Sequence, residues 1–139
     1  DILIIDTPPG TGDVQLTISQ KVDVTGALII TTPQELSLLD VKRGINMFRK
    51  VNLPILGLVE NMSFYLCNEC EKKHYIFGKQ SRHKLTSNFD IEVLGELPIS
   101  ENLIKKFDIE HPIIKQNQND VIFKSFFDIC QKVLSKIKV

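Results

Sequence analysis

Asp1-Ile2-Leu3-Ile4-Ile5-Asp6-Thr7-Pro8-Pro9-Gly10-Thr11-Gly12-Asp13 opens the chain. Four apolar residues in a row, Ile2–Ile5, read as a strand buried on both faces, as in a parallel sheet covered by helices. Pro8, Pro9, Gly10 and Gly12 then break the pattern and mark a loop. Asp13 is placed to cap a helix reaching about Lys21. Asp6, at the end of the apolar run, is costly to bury unless paired or set beside a cation. It serves either as a turn cap or as a metal-facing acid. Chains rarely begin inside a core strand, so residue 1 is expected to be a cut in a longer protein.

The same alternation continues outward. Gly26–Thr32 (GALIITT) and Pro54–Val59 (PILGLV) read as further buried strands, with a helix from Pro33 to about Lys50 between them. Leu38 or Leu39, Val41, Ile45 and Phe48 approximate its 3.6-residue period. Residues 61–79 read as a polar loop, and 81–89 and 100–107 as short helices. Glu92–Leu97 reads as a fourth strand stopped by Pro98. Asn119 is the expected cap of a last helix to about Lys138, striped by Ile122, Phe126, Ile129 and Val133. Strands alternating with helices predict an α/β fold, a mostly parallel sheet flanked by helices, incomplete at its N-terminal side. Ligands of such sheets bind beyond the carboxyl ends of the strands.

The chain has 139 residues, which suits one domain over 1–139 or a large piece of one. Apolar residues make up 42% and charged residues 24%, so a core is expected and disorder is not. Lys+Arg and Asp+Glu are equal at 17 each. A neutral chain has no bulk attraction for nucleic acid or anionic membrane, and neither is expected as a partner. No stretch reaches the ~18–20 apolar residues of a membrane span. Three cysteines make no disulfide framework, so a reducing compartment is expected.

Cys67-Asn68-Glu69-Cys70 brings two thiolates within reach of one metal. Two ligands do not complete a tetrahedral site, and three chemistries suit the pair. A redox dithiol normally sits at a helix N-terminus, which neither flank resembles. A zinc site within one chain would recruit His74 and a fourth group such as His83. A site on a two-fold axis would take Cys67 and Cys70 from each of two chains, four thiolates for one [4Fe–4S] cluster. Taken alone, His74 and His83 read as ordinary polar surface residues. Cys130 falls in the apolar last helix and reads as a buried structural thiol.

Five segments in this order, IIDTPPGTGDVQLT, VTGALIITTPQ, VKRGINMF, LPILGLVENMS and CNEC, resemble the Mrp/ApbC (MinD-like) P-loop ATPases, which bind and hand over iron–sulfur clusters. The resemblance runs from residue 1 to about 114. It implies an ATP-dependent carrier that holds a [4Fe–4S] cluster on Cys67 and Cys70 at a homodimer interface and passes it to apo iron–sulfur proteins. Zinc can take the same four thiolates. The resemblance further implies that Asp6 holds Mg²⁺ through water, Gly10 meets the γ-phosphate of ATP, Asn61 hydrogen-bonds the adenine, and Pro98 lines the base. The cytoplasm, or an organellar matrix, is the implied compartment. No G-x-x-x-x-G-K-[ST] phosphate loop occurs here, and Gly78-Lys79-Gln80 lacks both the spacing and the hydroxyl. In the family that loop lies upstream of DTPPG. ATP hydrolysis is therefore expected of the full-length protein and not of this chain alone. A MinD/ParA-type positioning ATPase on membrane or DNA is the alternative; it would use Asp6 and Gly10 without needing Cys67 or Cys70. The basic end of the last helix (Lys132, Lys136, Lys138) suits either membrane contact or a helix packed on the sheet, and its wide apolar stripe favours packing. Asp40, Lys42 and Arg43 suit a dimer interface or a solvated face equally.

Overall fold

The computed structural model describes residues 1–8, 12–67, 69–70, 72–78, 86–87, 89–100 and 120–137. Its elements are α1 (Asp13–Lys21), β1 (Ala27–Thr31), α2 (Glu35–Lys50), β2 (Ile55–Leu66), β3 (Lys73–His74), β4 (Val93–Ile99) and α3 (Val121–Lys136). β2 is central, with β1 and β4 parallel to it on its two sides, and β3 antiparallel to its far end. The expected α/β sheet with helices on both faces is therefore present.

Alternation along the strands sorts the core into two layers. Ile29 and Leu58 face α2, where Leu38, Val41 and Ile45 close over them together with Ile91. The next residue of β2, Val59, faces the other way and packs with Leu94, Leu97 and Ile129 under α3. α3 lies close to β4 because Gly95 has no side chain; a Cβ there would fall 2.4 Å from Ile129 Cγ1. Lys132 Nζ also donates to the Leu94 carbonyl at 2.7 Å. Ile30, on the face of β1 away from α2, stays 55% exposed. Among the described residues, no helix is long and apolar enough to cross a membrane.

Several sequence expectations are corrected. Residues 2–5 are not a strand: Leu3 is 84% and Ile4 86% exposed. A strand exists through its ladder, and no neighbour among the described residues offers one, so apolarity alone leaves the segment open. The first helix is capped by Gly12, with Asp13 already in its first turn. The last is capped by Asp120, whose Oδ1 accepts from the Ile122 N–H at 2.9 Å, in place of Asn119. Cys130 is exposed, because it lies beside the buried stripe of Ile122 and Ile129, outside it. The expected helix at 100–107 lies outside the described residues save Ser100, and that at 81–89 largely so.

Two further corrections concern the carboxyl ends of the strands. β2 does not stop at Val59 but runs to Leu66, across a bulge. Glu60 pairs with Glu96 and Phe64 with Pro98, so three residues of β2 face one of β4. Met62 takes φ +55° there. The buried Ser63 hydroxyl donates to the buried Glu60 carboxylate beneath the bulge. Pro98, expected to end β4, lies inside it and is fully buried. A proline is tolerated there because β4 is an edge strand in the described sheet and the bulge relaxes the ladder.

The end of α3 is tied down by charge. Lys136 Nζ lies 2.8 Å from Glu92 Oε2. Its hydrogen bond and then its positive charge hold the Glu92 carboxyl below the ordinary glutamate value, with Lys132 adding a smaller pull. A carboxylate whose folded pKa is depressed stabilises the fold above its unfolded pKa, and loses that contribution as pH falls through the folded one. Lys136→Met is therefore expected to raise the Glu92 pKa toward the ordinary value in a carboxyl-carbon NMR titration. An unmoved titration would show that the ion pair does not form in solution.

Candidate functional site

The cysteine pair does not sit in a loop, as residues 61–79 suggested, but at the tip of a hairpin. Tyr65 pairs with His74 and Leu66 with Lys73. The Cys67 N–H donates to the Lys72 carbonyl at 3.1 Å, extending the same register by one pair. Register decides which side chains meet. Phe64, Leu66, Lys73 and Tyr75 fall on one face; Tyr65, Cys67 and His74 fall on the other.

The first face anchors the hairpin. The fully buried Phe64 ring lies 5.9 Å from that of Tyr75, and Lys73 Nζ stands 4.2 Å above its centre. Glu96 of β4 accepts from the Tyr75 hydroxyl at 3.2 Å and lies 3.7 Å from Lys73 Nζ. One acid, one cation and two rings thus clamp the returning strand to the sheet.

The second face carries the chemistry. Cys67 directly follows β2, Cys70 lies in the turn, and His74 is on β3, diagonal to Cys67 across the hairpin. One ligand atom from each lies within 4.8 Å of the others. Cys67 is half-buried, while Cys70 and His74 are exposed, and all the cysteines are free thiols. The Cys70 N–H, then that of Glu69, then the Cys70 thiol hydrogen-bond the Cys67 sulfur and hold its thiol below the usual range, against a smaller opposing effect of burial. A sulfur biased toward thiolate is suited to binding a metal or to acting as a nucleophile. Neither cysteine opens a helix, as a redox dithiol would. His74 was named in the sequence as a possible zinc ligand but, taken alone, weighed as a surface residue; the hairpin register, which appears only once 61–66 is known to be strand, is what brings it to the cysteines. His83 lies outside the described residues.

The other expected site residues are less closely grouped. Asn61 is on the β2 bulge, its side chain accepting from the Met62 N–H at 2.9 Å. Pro98 is on the adjacent strand beside that bulge. They lie within strands, not past their ends as expected, yet both belong to the same carboxyl edge of the sheet. Asp6 is exposed in the extended opening segment, and Gly10 lies outside the described residues. Gln15, buried in α1, donates to the Pro8 carbonyl at 2.6 Å and pins the start of the Pro-Gly loop, a contact that no sequence motif announced. Arg43 and Asp40 pair at 3.3 Å on an exposed turn of α2.

The model of a ParA-type family, described as the NUBPL iron-transfer P-loop NTPase, matches residues 1–134. The iron–sulfur cluster carrier protein of Aquifex aeolicus is 42% identical over 137 residues, 99% of this chain and 37% of that protein. The iron–sulfur cluster transfer protein NUBPL of Mus musculus is 41% identical over 138 residues, 99% of this chain and 43% of that protein. The chain thus spans about two fifths of the length of these relatives. Among solved structures, a nucleotide-binding protein of Archaeoglobus fulgidus in complex with ADP is 40% identical, with a TM-score of 0.61 over 70% of this chain and 40% of that one.

Proposed function

The chain belongs to the NUBPL iron-transfer P-loop NTPase family, and from that premise we propose that the full-length protein is an ATP-dependent carrier of iron–sulfur clusters. The cargo is a [4Fe–4S] cluster held between two copies, each giving Cys67 and Cys70, and delivered to apo iron–sulfur proteins. The observation that carries this is the exposed hairpin tip, where two thiols converge with one biased toward thiolate. Four such thiolates satisfy one cluster. An exposed tip on a clamped hairpin suits a cargo that must be both held firmly and given up.

ATP would bind along the carboxyl edge of the sheet. Asp6, an exposed carboxylate, is an oxygen donor of the kind Mg²⁺ takes, often through water. Gly10 would bring a backbone N–H to the γ-phosphate, Asn61 would hydrogen-bond the adenine, and Pro98 would back the base. Bound Mg²⁺ would neutralise phosphate charge during hydrolysis. The Asn61 bulge beside β4 and the Glu60–Phe64 segment leading to the cysteines are one continuous strand, so nucleotide edge and cluster tip share β2. This chain without its phosphate loop would not hydrolyse ATP. The reading fits a reducing compartment, the cytoplasm or an organellar matrix.

Anaerobic reconstitution of the full-length protein with iron and sulfide tests it. About four irons per two chains, in a species that sizes as a dimer, is the expected result. Stoichiometric zinc that iron and sulfide cannot replace, in a protein without ATPase activity, would overturn it in favour of a zinc-stabilised binding module.

A further inference from the structure

We propose that His74 is a third ligand of the Cys67–Cys70 pair, so that one protomer by itself forms a mononuclear Cys₂His site for a tetrahedral divalent ion such as zinc. The inference rests on the reading of Cys67 and Cys70 as metal ligands, and adds to it a second mode of occupancy within a single chain.

The geometry carries it. At zinc bond lengths of about 2.3 Å to sulfur and 2.0–2.1 Å to nitrogen, tetrahedral ligand atoms stand about 3.5–3.8 Å apart. The three atoms here already lie within 4.8 Å of one another. Contraction by about 1 Å closes the set, within the reach of side-chain torsions alone. The approach is not an accident of a wandering loop. His74 is held in register opposite Tyr65, and its neighbours Lys73 and Tyr75 are clamped to Phe64 and Glu96 on the far face. That clamp fixes the backbone from which the imidazole reaches Cys67. Borderline imidazole and soft thiolate together suit zinc, cobalt and ferrous iron.

Three protein ligands leave a fourth position. Because Cys70 and His74 are exposed, that position faces solvent. Water fills it at rest, and an incoming thiolate can replace it. The single-chain site uses the same two sulfurs that a cluster shared between two chains needs. The two modes therefore exclude each other, and His74 sets the balance: its nitrogen stabilises the one-chain ion and has no place among four shared thiolates.

Anaerobic titration of the metal-free full-length protein with Co²⁺, a spectroscopic stand-in for zinc, tests the assignment. The wild type is expected to saturate at about one ion per chain with the visible d–d bands of tetrahedral cobalt. His74→Ala is expected to bind at least about tenfold more weakly and to lose tetrahedral band intensity. His74→Cys should restore the affinity and strengthen the sulfur-to-cobalt charge-transfer band. His74 is exposed, so neither variant threatens folding, and circular dichroism verifies this. A His74→Ala titration superimposable on the wild type, or saturation of the wild type at half an ion per chain, would overturn the proposal. The carrier reading fails separately: if Cys67→Ala still loads a full cluster, the cysteines are not the cargo site. A silent His74→Ala beside a cluster-free Cys67→Ala removes only the third ligand.

Discussion

Cys67→Ala in the full-length protein is expected to lose its iron–sulfur cluster almost completely on reconstitution, while still binding nucleotide. The proposed shared site would have four thiolates, and the variant would leave two, both of the Cys70 kind. The Cys67 sulfur receives hydrogen bonds from the Cys70 and Glu69 amides and from the Cys70 thiol, which favour the thiolate. A metal or cluster binds only the deprotonated sulfur, so the variant removes the residue already biased that way. Nucleotide should be unaffected, because the residues proposed to hold it, Asp6, Asn61 and Pro98, lie on the opening segment, the β2 bulge and β4. Cys130→Ala is the matched control: an exposed thiol on α3, outside the converging group. The iron content and charge-transfer absorbance of both variants, with nucleotide affinity alongside, decide the matter. A full cluster in Cys67→Ala, or equal loss in Cys130→Ala, would refute the assignment.

What sequence reveals about this fold depends on whether the signal is local. β1, α2 and α3 follow from apolar periodicity, since the residues that repeat are those that bury: Ile29, Val41, Ile45, Ile122 and Ile129. Residues 2–5 have the same strand composition and fail, because a ladder needs a partner and composition supplies none. The segment Asn61–Leu66 fails in the opposite sense. Asn61 and Ser63 look like loop residues, but Ser63 is satisfied by Glu60 and Phe64 is buried, so strand structure survives a polar stretch. Pro98 reads as a stop, and only pairing at an edge strand beside a bulge makes it a strand residue.

The candidate site divides on the same ground. Cys67 and Cys70 are two residues of one short motif, legible from their spacing. His74 is four residues beyond Cys70, and its approach is set by the pairing Tyr65–His74 rather than by chain distance. Reading residues 61–66 as a loop leaves His74 a candidate on chain distance alone; the hairpin is what sets its approach to Cys67. The proposed nucleotide residues are legible only through resemblance. An Asp, a Gly, an Asn and a Pro share no pattern of composition or spacing, and among the described ones only Asn61 and Pro98 are brought together, on neighbouring strands.

Phe64→Ala is expected to cost about 3–5 kcal/mol of stability, as deletion of a buried phenylalanine does, and to weaken metal binding at a tip it does not touch. Phe64 is only 1% exposed and is the largest of the fully buried side chains described. Its loss opens a cavity beneath the one face of the hairpin that is anchored. The Tyr75 ring loses its neighbour, and Lys73 loses the ring face under its ammonium. Beyond the β2–β3 ladder, the returning strand then keeps its side-chain contacts to Glu96, at 3.2 and 3.7 Å. His74 lies between Lys73 and Tyr75, so its position depends on both. Against a typical total of about 5–15 kcal/mol the stability loss is large, and urea unfolding of the full-length protein reads it directly. Phe64→Leu separates the two effects: it refills much of the cavity but offers no ring to Lys73. It should recover most of the stability while leaving metal affinity below that of the wild type. Equal recovery of both would mean that volume alone, and not the Lys73–Phe64–Tyr75 stack, orients the hairpin. A Phe64→Ala variant with unchanged metal affinity would mean that the tip is positioned from within its own turn.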